Sequence, residues 1–323
     1  MKKILSIGEA TLDSYIFLSD ANVHCNVDKT KCEFCVNYTD KMVADDLIFS
    51  VGGNAANTAV AFSRLGFESQ LFSVRGNDWI GRQIAETLTR ESIDTRYVSE
   101  VEGATSYATA LIFQGERQLI VYHVPRKYRL PNFETVDWVY LTSMGADWKH
   151  AYEKVLPFVK NNKIRMSFNP GSFQLKAGLT ELKPYLKITE VLFLNRQEVL
   201  TLLDREPSTT IRRLAEELYD LGPKIVVITD AEKGAYAFNG TELLHCQIFK
   251  SCIVERTGCG DSFGAGFTAA LLHGEDMAEA MRWGMANSSS VIGSVGSQKG
   301  LLNREKMAEV LNDNFKTVPK KLY

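Results

Sequence analysis

Several absences narrow the class of this sequence before any motif is considered. No stretch is apolar for the ~18 or more residues that a membrane-spanning helix needs. No block of like charge occurs: 37 Lys and Arg stand against 39 Asp and Glu, interspersed, for a formal charge of -2. Such a chain carries no global basic field for nucleic acid and no charged interaction tail. Internal repeats and low-complexity segments are missing. No G-x-G-x-x-G follows the first apolar run, which removes a dinucleotide-binding oxidoreductase. The opening segment MKKILSIGEATLDSYIFL is broken by Glu9 and Asp13 and lacks a small-residue cleavage site. It does not read as a secretory signal, so a cytoplasmic protein is expected.

What is present fits a globular α/β protein. The 323 residues are 45% hydrophobic and 24% charged, enough to bury a large core without metals or cross-links. Six cysteines, at 25, 32, 35, 246, 252 and 259, are expected as free thiols in a chain without an export signal. Cys32-Glu33-Phe34-Cys35 with Cys25 offers three sulfurs. A structural zinc site usually has two well-spaced ligand pairs, so zinc is not expected.

Lys3 to Gly8 reads as a short strand ending in glycine. Residues 19–46 are polar and cysteine-containing, like an insertion or surface β element. Gly52-Gly53 opens a small-residue helix, NAANTAVAFSRLG. Ser106–Phe113 and Arg117–His123 are β-rich runs joined by a hairpin signal, Gln114-Gly115-Glu116. From Val136 onward, apolar runs (WVYLTS, IRMSF, VLFLN, KIVVIT) alternate with helical stretches, the pattern of a parallel sheet covered on both faces. Two long helical stretches follow, Asp261–His273 and Asp276–Ile292, and the tail KTVPKKLY is expected to be loose.

The strongest chemical signal is Thr257-Gly258-Cys259-Gly260-Asp261-Ser262-Phe263-Gly264-Ala265-Gly266-Phe267. A glycine-rich turn lets backbone N–H groups converge, and a helix starting there adds its positive dipole end. Asp261 stands at that start. Phosphoryl transfer to an alcohol needs donors around the developing charge and a base for the hydroxyl proton, and the segment supplies both. Spacing alone leaves open that Asp261 merely caps a helix.

The segment resembles the TGAGDxFxAGF signature of the ribokinase/PfkB kinases, with Cys259 where alanine is usual. A second stretch, Gly52-Gly53-Asn54-Ala55-Ala56-Asn57-Thr58-Ala59 with Arg64-Leu65-Gly66 and Gly76-Asn77-Asp78, is similar to the N-terminal GGxxxNxA motif of that family. The two lie about 200 residues apart in the expected order, and the resemblance spans essentially the whole chain.

It implies a ribokinase-like doubly wound, mostly parallel sheet with helices on both faces and a small β-sheet lid. The large α/β domain would comprise 1–13, 50–94 and 125–323, and the lid 14–49 and 95–124. It implies Asp261 as general base, with Gly258, Cys259 and Gly260 as the anion hole. Asp13, Gly52, Gly53, Asn57 and Asn169 would meet the acceptor. Asn195, Thr229, Ala231, Gly234, Thr257, Gly260 and Asn287 would meet the nucleotide. The Asn195-Arg196-Gln197-Glu198 stretch resembles the NxxE motif that helps place Mg²⁺ through water, so Asn195 and Glu198 are the expected metal residues.

Two departures stand out. Ala231 replaces the first glycine of the TxGxxG turn, and Glu255-Arg256 replaces the Asp and Thr that K⁺-activated relatives carry, so no K⁺ requirement is implied. The expected activity is ATP- and Mg²⁺-dependent phosphorylation of a sugar or sugar-like hydroxyl. A nucleoside kinase is the alternative, and the intact Asp261 argues against a non-catalytic regulator. Expected partners are a small-molecule substrate and, through the lid, a second copy of the chain, with no nucleic acid or membrane.

Overall fold

The computed structural model describes residues 1–26, 32–36, 38, 39, 41–114 and 116–322. Strand β1 (Lys3–Ile7) enters the core at once, and β2 (Thr11–Phe17) continues into a second sheet. A short hairpin, β3 (Asn22–Cys25) and β4 (Cys32–Cys35), precedes β5 (Asp46–Gly52). Helix α1 (Asn54–Arg64), β6 (Glu68–Gly76), α2 (Trp79–Arg90) and β7 (Val98–Val101) complete the first α/β layers. The hairpin β8 (Tyr107–Phe113) and β9 (Glu116–Tyr122) returns to the second sheet. Alternation then follows: β10 (Trp138–Thr142), α3 (Trp148–Asn161), β11 (Arg165–Asn169), α4 (Ser172–Ala177), α5 (Leu179–Leu186), β12 (Val191–Asn195), α6 (Arg196–Leu203), α7 (Ile211–Tyr219) and β13 (Ile225–Thr229). The chain ends with β14 (Ala235–Phe238), β15 (Leu243–Cys246), α8 (Cys259–His273), α9 (Met277–Val291), α10 (Arg304–Asp313) and β16 (Lys320–Leu322).

Ten strands form one sheet in the order β16-β15-β14-β13-β12-β11-β10-β1-β6-β7, parallel from β13 to β7. Alternate residues of each strand feed different cores. Leu5 and Ile7 pack with the α3, α5 and α7 side, including Val155, Leu182 and Leu214. Ile4 packs with Trp138, Tyr140 and the α1, α8 and α9 side, including Val60, Phe267 and Met281. Both faces are covered, which explains strands that are apolar throughout rather than alternating. The neighbours of β1 are β10 and β6, so the winding reverses there. A crevice at the carboxyl ends of β1 and β10 is where such sheets bind ligands.

The small sheet has the order β5-β2-β8-β9 and stands over that crevice. Strand β2 belongs to it from Thr11 onward, directly after the turn that follows β1. Strand β7, assigned with the lid from the sequence, instead pairs with β6 at the edge of the large sheet.

Two other expectations are corrected. The tail is not loose, because Lys320–Leu322 pairs antiparallel with Leu243–His245; the apolar Leu322 packs on the main core. Cys25 is disulfide-bonded rather than free, while Cys35, Cys246, Cys252 and Cys259 are free. The hairpin turn lies partly outside the described residues, at Gly115.

Ala231 takes a left-handed backbone, φ 45°, in the 3-10 turn Ala231–Lys233 between β13 and β14. An L-residue pays for this conformation through its Cβ. Ala231→Gly should therefore stabilise the protein by about 0.5–1 kcal/mol, the relieved strain outweighing the added freedom of the unfolded chain. Urea denaturation with an unchanged m-value checks this.

Candidate active site

The crevice contains a cavity of about 410 Å³. Its walls come from the carboxyl ends of the parallel strands, from the start of α8 and from the small sheet. Asn169 ends β11, Asn195 ends β12 and Thr229 ends β13, and all three line it with Glu9, which follows β1. Leu119, Val121 and His123 approach from β9 and its end.

Helix α8 begins at Gly258, whose φ of 79° is left-handed and open chiefly to glycine. A Cβ there would stand 2.5 Å from the Cβ of Ser297, so the turn is also packed from behind. At Gly260 a Cβ would meet nothing within 4 Å. The first turn of α8 thus offers unpaired amides to open space, the form of an anion cradle.

Asp261 is buried at 6% exposure in that first turn. Its Oδ2 accepts a hydrogen bond of 2.8 Å from Asn57 Nδ2. Burial pushes its carboxyl up to about 7, opposed by the Asn57 hydrogen bond and reinforced by the charges of Asp13 and Glu198. A carboxyl tuned near neutrality suits general-base work. Cys259 beside it is held as a thiol, pushed up to about 11 by burial.

Asp13 lies on β2, equally buried, with Oδ1 accepting from Thr11 Oγ1 at 2.7 Å. Burial raises its carboxyl to about 6. Gly52, the partner of Thr11 on the neighbouring strand, is what makes room for it: a Cβ on Gly52 would fall 2.1 Å from Asp13 Oδ2. Gly53 caps α1 and lines the cavity.

Asn195 and Glu198 form a reciprocal cap at the start of α6. Asn195 Oδ1 accepts from Glu198 N at 2.9 Å, and Glu198 Oε2 accepts from Asn195 N at 2.8 Å. Glu198 is raised above the usual carboxylate range, first by burial. Both residues line the cavity. The pair fits a sparse Mg²⁺ site that keeps most of its waters.

Not every expected residue reaches the cavity. Asp13, Gly53, Asn57, Asn169, Asn195, Glu198, Thr229, Thr257, Gly258, Cys259, Gly260 and Asp261 line it. Gly52, Ala231, Gly234 and Asn287 do not. Asn287 is fully buried, donating to Ser262 O and accepting from Leu302 N, and so ties α8 to the following segment.

The structure gives a place to residues that the sequence reading did not assign to the site. Glu255, 2% exposed, accepts from Arg117 at 2.7 Å and from Thr257 N at 2.7 Å. An arginine of the small sheet thereby holds the loop just before the anion cradle. At the opposite end, His123 Nδ1 lies 3.0 Å from Glu9 Oε2, which keeps the imidazole above its ordinary range. Tyr128 donates to Glu9 Oε1 at 3.2 Å. Glu9 entered the sequence reading only as a charge that breaks the opening apolar run.

Comparison with known proteins bears on the family and the fold. The profile of the pfkB family carbohydrate kinases matches residues 1–304. An uncharacterized sugar kinase of Archaeoglobus fulgidus is 27% identical over 263 residues, covering 75% of this chain and 98% of the relative. A nucleoside kinase of Methanocaldococcus jannaschii is 27% identical over 324 residues, covering 96% of this chain and 97% of the relative. The structure of Arabidopsis thaliana ribokinase complexed with ribose and ATP superposes with a TM-score of 0.76 at 20% identity, covering 96% and 99% of the two chains.

Two carboxyls raised by burial bind protons in the folded state that the unfolded chain releases between about pH 4 and 7. Stability should therefore fall as pH rises through that window. Asp261→Asn should flatten the slope, raising Tm by roughly 2–6 °C at pH 8 and little at pH 4. Thermal unfolding at both pH values is the check.

Proposed function

The chain belongs to the pfkB family of carbohydrate kinases, and on that premise we propose that it transfers the γ-phosphate of ATP to a hydroxyl of a sugar or sugar-like small molecule. The observation that carries the reading is Asp261, a buried carboxyl tuned near neutrality in the first turn of α8, beside the Gly258–Gly260 cradle and in one cavity with Asp13.

In this reading the acceptor hydroxyl approaches Asp261, whose carboxylate takes its proton as the new O–P bond forms. The α8 amides, with Gly258, Cys259 and Gly260, face the charge that develops on the transferred group. Asp13 accepts hydrogen bonds from neighbouring hydroxyls of the acceptor. Gly53, Asn57 and Asn169 complete its surroundings, and Gly52 keeps Asp13 in place. Asn169 spends its Nδ2 on Phe193 O and so has Oδ1 left for a ligand. Thr229, Thr257 and the turn carrying Ala231 and Gly234 are assigned to the nucleotide side, and Asn287, expected there, acts only by holding α8 through Ser262 O. Asn195 and Glu198 would hold Mg²⁺, whose charge, when bound, offsets that of the phosphates.

A nucleoside acceptor is the second reading. It is favoured by the near full-length match to the archaeal nucleoside kinase and by the apolar Leu119, Val121, Met144 and Phe173 in the cavity wall, which suit a flat base. A thermal-shift panel of sugars and nucleosides separates the two, since the ligand bound by the folded state raises Tm by mass action. A homodimer through the small sheet and a cytoplasmic setting belong to the same proposal. Strand β9 is an edge strand with Ile120 and Tyr122 more than half exposed, and such an edge invites pairing.

Asp261→Asn should lower kcat by about two to four decades while KM for ATP stays nearly constant. Asp13→Ala should raise KM for the acceptor far more than KM for ATP. Steady-state kinetics measures both; near-wild-type turnover of Asp261→Asn removes the base assignment, and equal effects of Asp13→Ala on both substrates remove the other.

If Asn195 and Glu198 organise Mg²⁺, Glu198→Gln should move the Mg²⁺ dependence of the rate to higher concentration. An unchanged titration reduces the pair to a helix cap.

A further inference from the structure

Asn57 is a polar side chain with 4% exposure, wedged between three partners. Its Oδ1 accepts from Ser297 Oγ at 2.8 Å and from Gln298 Nε2 at 3.2 Å. Its Nδ2 donates to Asp261 Oδ2 at 2.8 Å. Ser297 and Gln298 are themselves buried, at 0% and 5% exposure, in the segment between α9 and α10. An asparagine amide has two ends of similar shape and opposite hydrogen-bonding sense. Here two donors occupy the oxygen end, so only the N–H2 end is available to the carboxylate.

We propose that Ser297 and Gln298 are positioning residues for the base: by fixing the orientation of the Asn57 amide they keep a donor, never an acceptor, against Asp261. The role of Asp261 as base is taken from the proposed function. Without the two donors, only Asp261 itself distinguishes the ends of the Asn57 amide, and once that carboxyl is protonated the amide can rotate by half a turn. Its oxygen would then face the carboxylate. That arrangement repels the ionised form of Asp261 and accepts a hydrogen bond from the protonated form. Of the other groups acting on Asp261, Asp13 on β2 and Glu198 on α6 are acidic and raise it further, the Tyr140 phenol on β10 is neutral, and the Asn54 amide alone works with Asn57 in favour of the ionised form.

A second contact marks Ser297 as part of the same assembly. Its backbone and Cβ are what a Cβ on Gly258 would strike. One buried serine thus backs the turn of the anion cradle and, through Asn57, orients the base. Asn57 keeps one N–H free for an acceptor in this arrangement, so its assignment to the substrate is not displaced.

The test compares Ser297→Ala, Gln298→Leu and the double variant with the wild type in two independent readouts. Carbon-13 NMR of protein labelled at aspartate Cγ follows the titration of Asp261, identified by the signal lost in Asp261→Asn. In the double variant the midpoint should rise by on the order of one pH unit, about tenfold in proton affinity. The acid limb of kcat against pH should move up by the same amount, with KM for ATP within about twofold. A folded double variant, or folded single variants should the double fail to fold, with an unmoved Asp261 midpoint overturns the proposal. In the wild-type protein, the Asn57 side-chain N–H2 signal, identified by its loss in Asn57→Asp, should shift with the same midpoint as Asp261; a signal indifferent to pH also overturns it. The NMR readouts do not depend on turnover. A shifted midpoint without a shifted kcat limb therefore leaves the amide orientation standing and sinks the base assignment instead.

Discussion

Taking a carboxylate out of water costs free energy that neighbouring donors must offset, and this protein does so twice within one crevice. Asp261 is offset by the amide of Asn57 and by its place at the positive end of a helix. Asp13 is offset first by the Thr11 hydroxyl, and it keeps its position because Gly52 leaves it space. The charge of Asp13 raises the proton affinity of Asp261. Much of the surrounding construction follows from holding these groups apart from solvent and from one another. The left-handed Gly258, the buried polar segment at Ser297 and Gln298, and the glycine pair before α1 are all placed by that requirement.

The small sheet is bound to this arrangement by charge as well as by backbone. Arg117 reaches from β9 to the buried Glu255. Losing one partner of such a pair strands a charge in a poorly solvated place, at a cost of about 3–5 kcal/mol. The contact therefore couples the small sheet to the loop that precedes the anion cradle. On the opposite side, His123 and Glu9 make a second bridge between the sheets. The cavity is consequently spanned at both ends by ion pairs whose members come from different layers.

How much of this was legible in the sequence depended on whether the signal was local. The parallel strands and the helices α1, α8 and α9 were visible because apolar runs, glycine starts and caps are written in adjacent residues. The two glycine motifs carried the chemistry for the same reason. What stayed hidden came from long-range pairing. Lys320–Leu322 has no strand signature of its own, and only its partner β15 makes it one. Strand β7 looks like lid sequence but finds its neighbour in β6. The disulfide at Cys25 was misjudged because redox compartment, not spacing, drove the expectation. Asn287 matched a motif position yet spends its amide inside the core. Ser297 and Gln298 sit in a stretch of small residues whose meaning depends on Asn57, 240 and 241 positions away.

Strand β2 has a further mechanical meaning. It starts at the cavity floor with Thr11 and Asp13 and runs without interruption to Phe17 in the small sheet, where it pairs on both sides. A hydrogen-bonded strand is stiff along its axis, so it acts as a lever with the carboxylate near its fulcrum. Any tilt of the outer sheet is transmitted to the orientation of Asp13 rather than absorbed in a slack connection. Opening the crevice and loosening the grip on whatever Asp13 holds are then one and the same coordinate, and residence time would be written into the elasticity of seven residues.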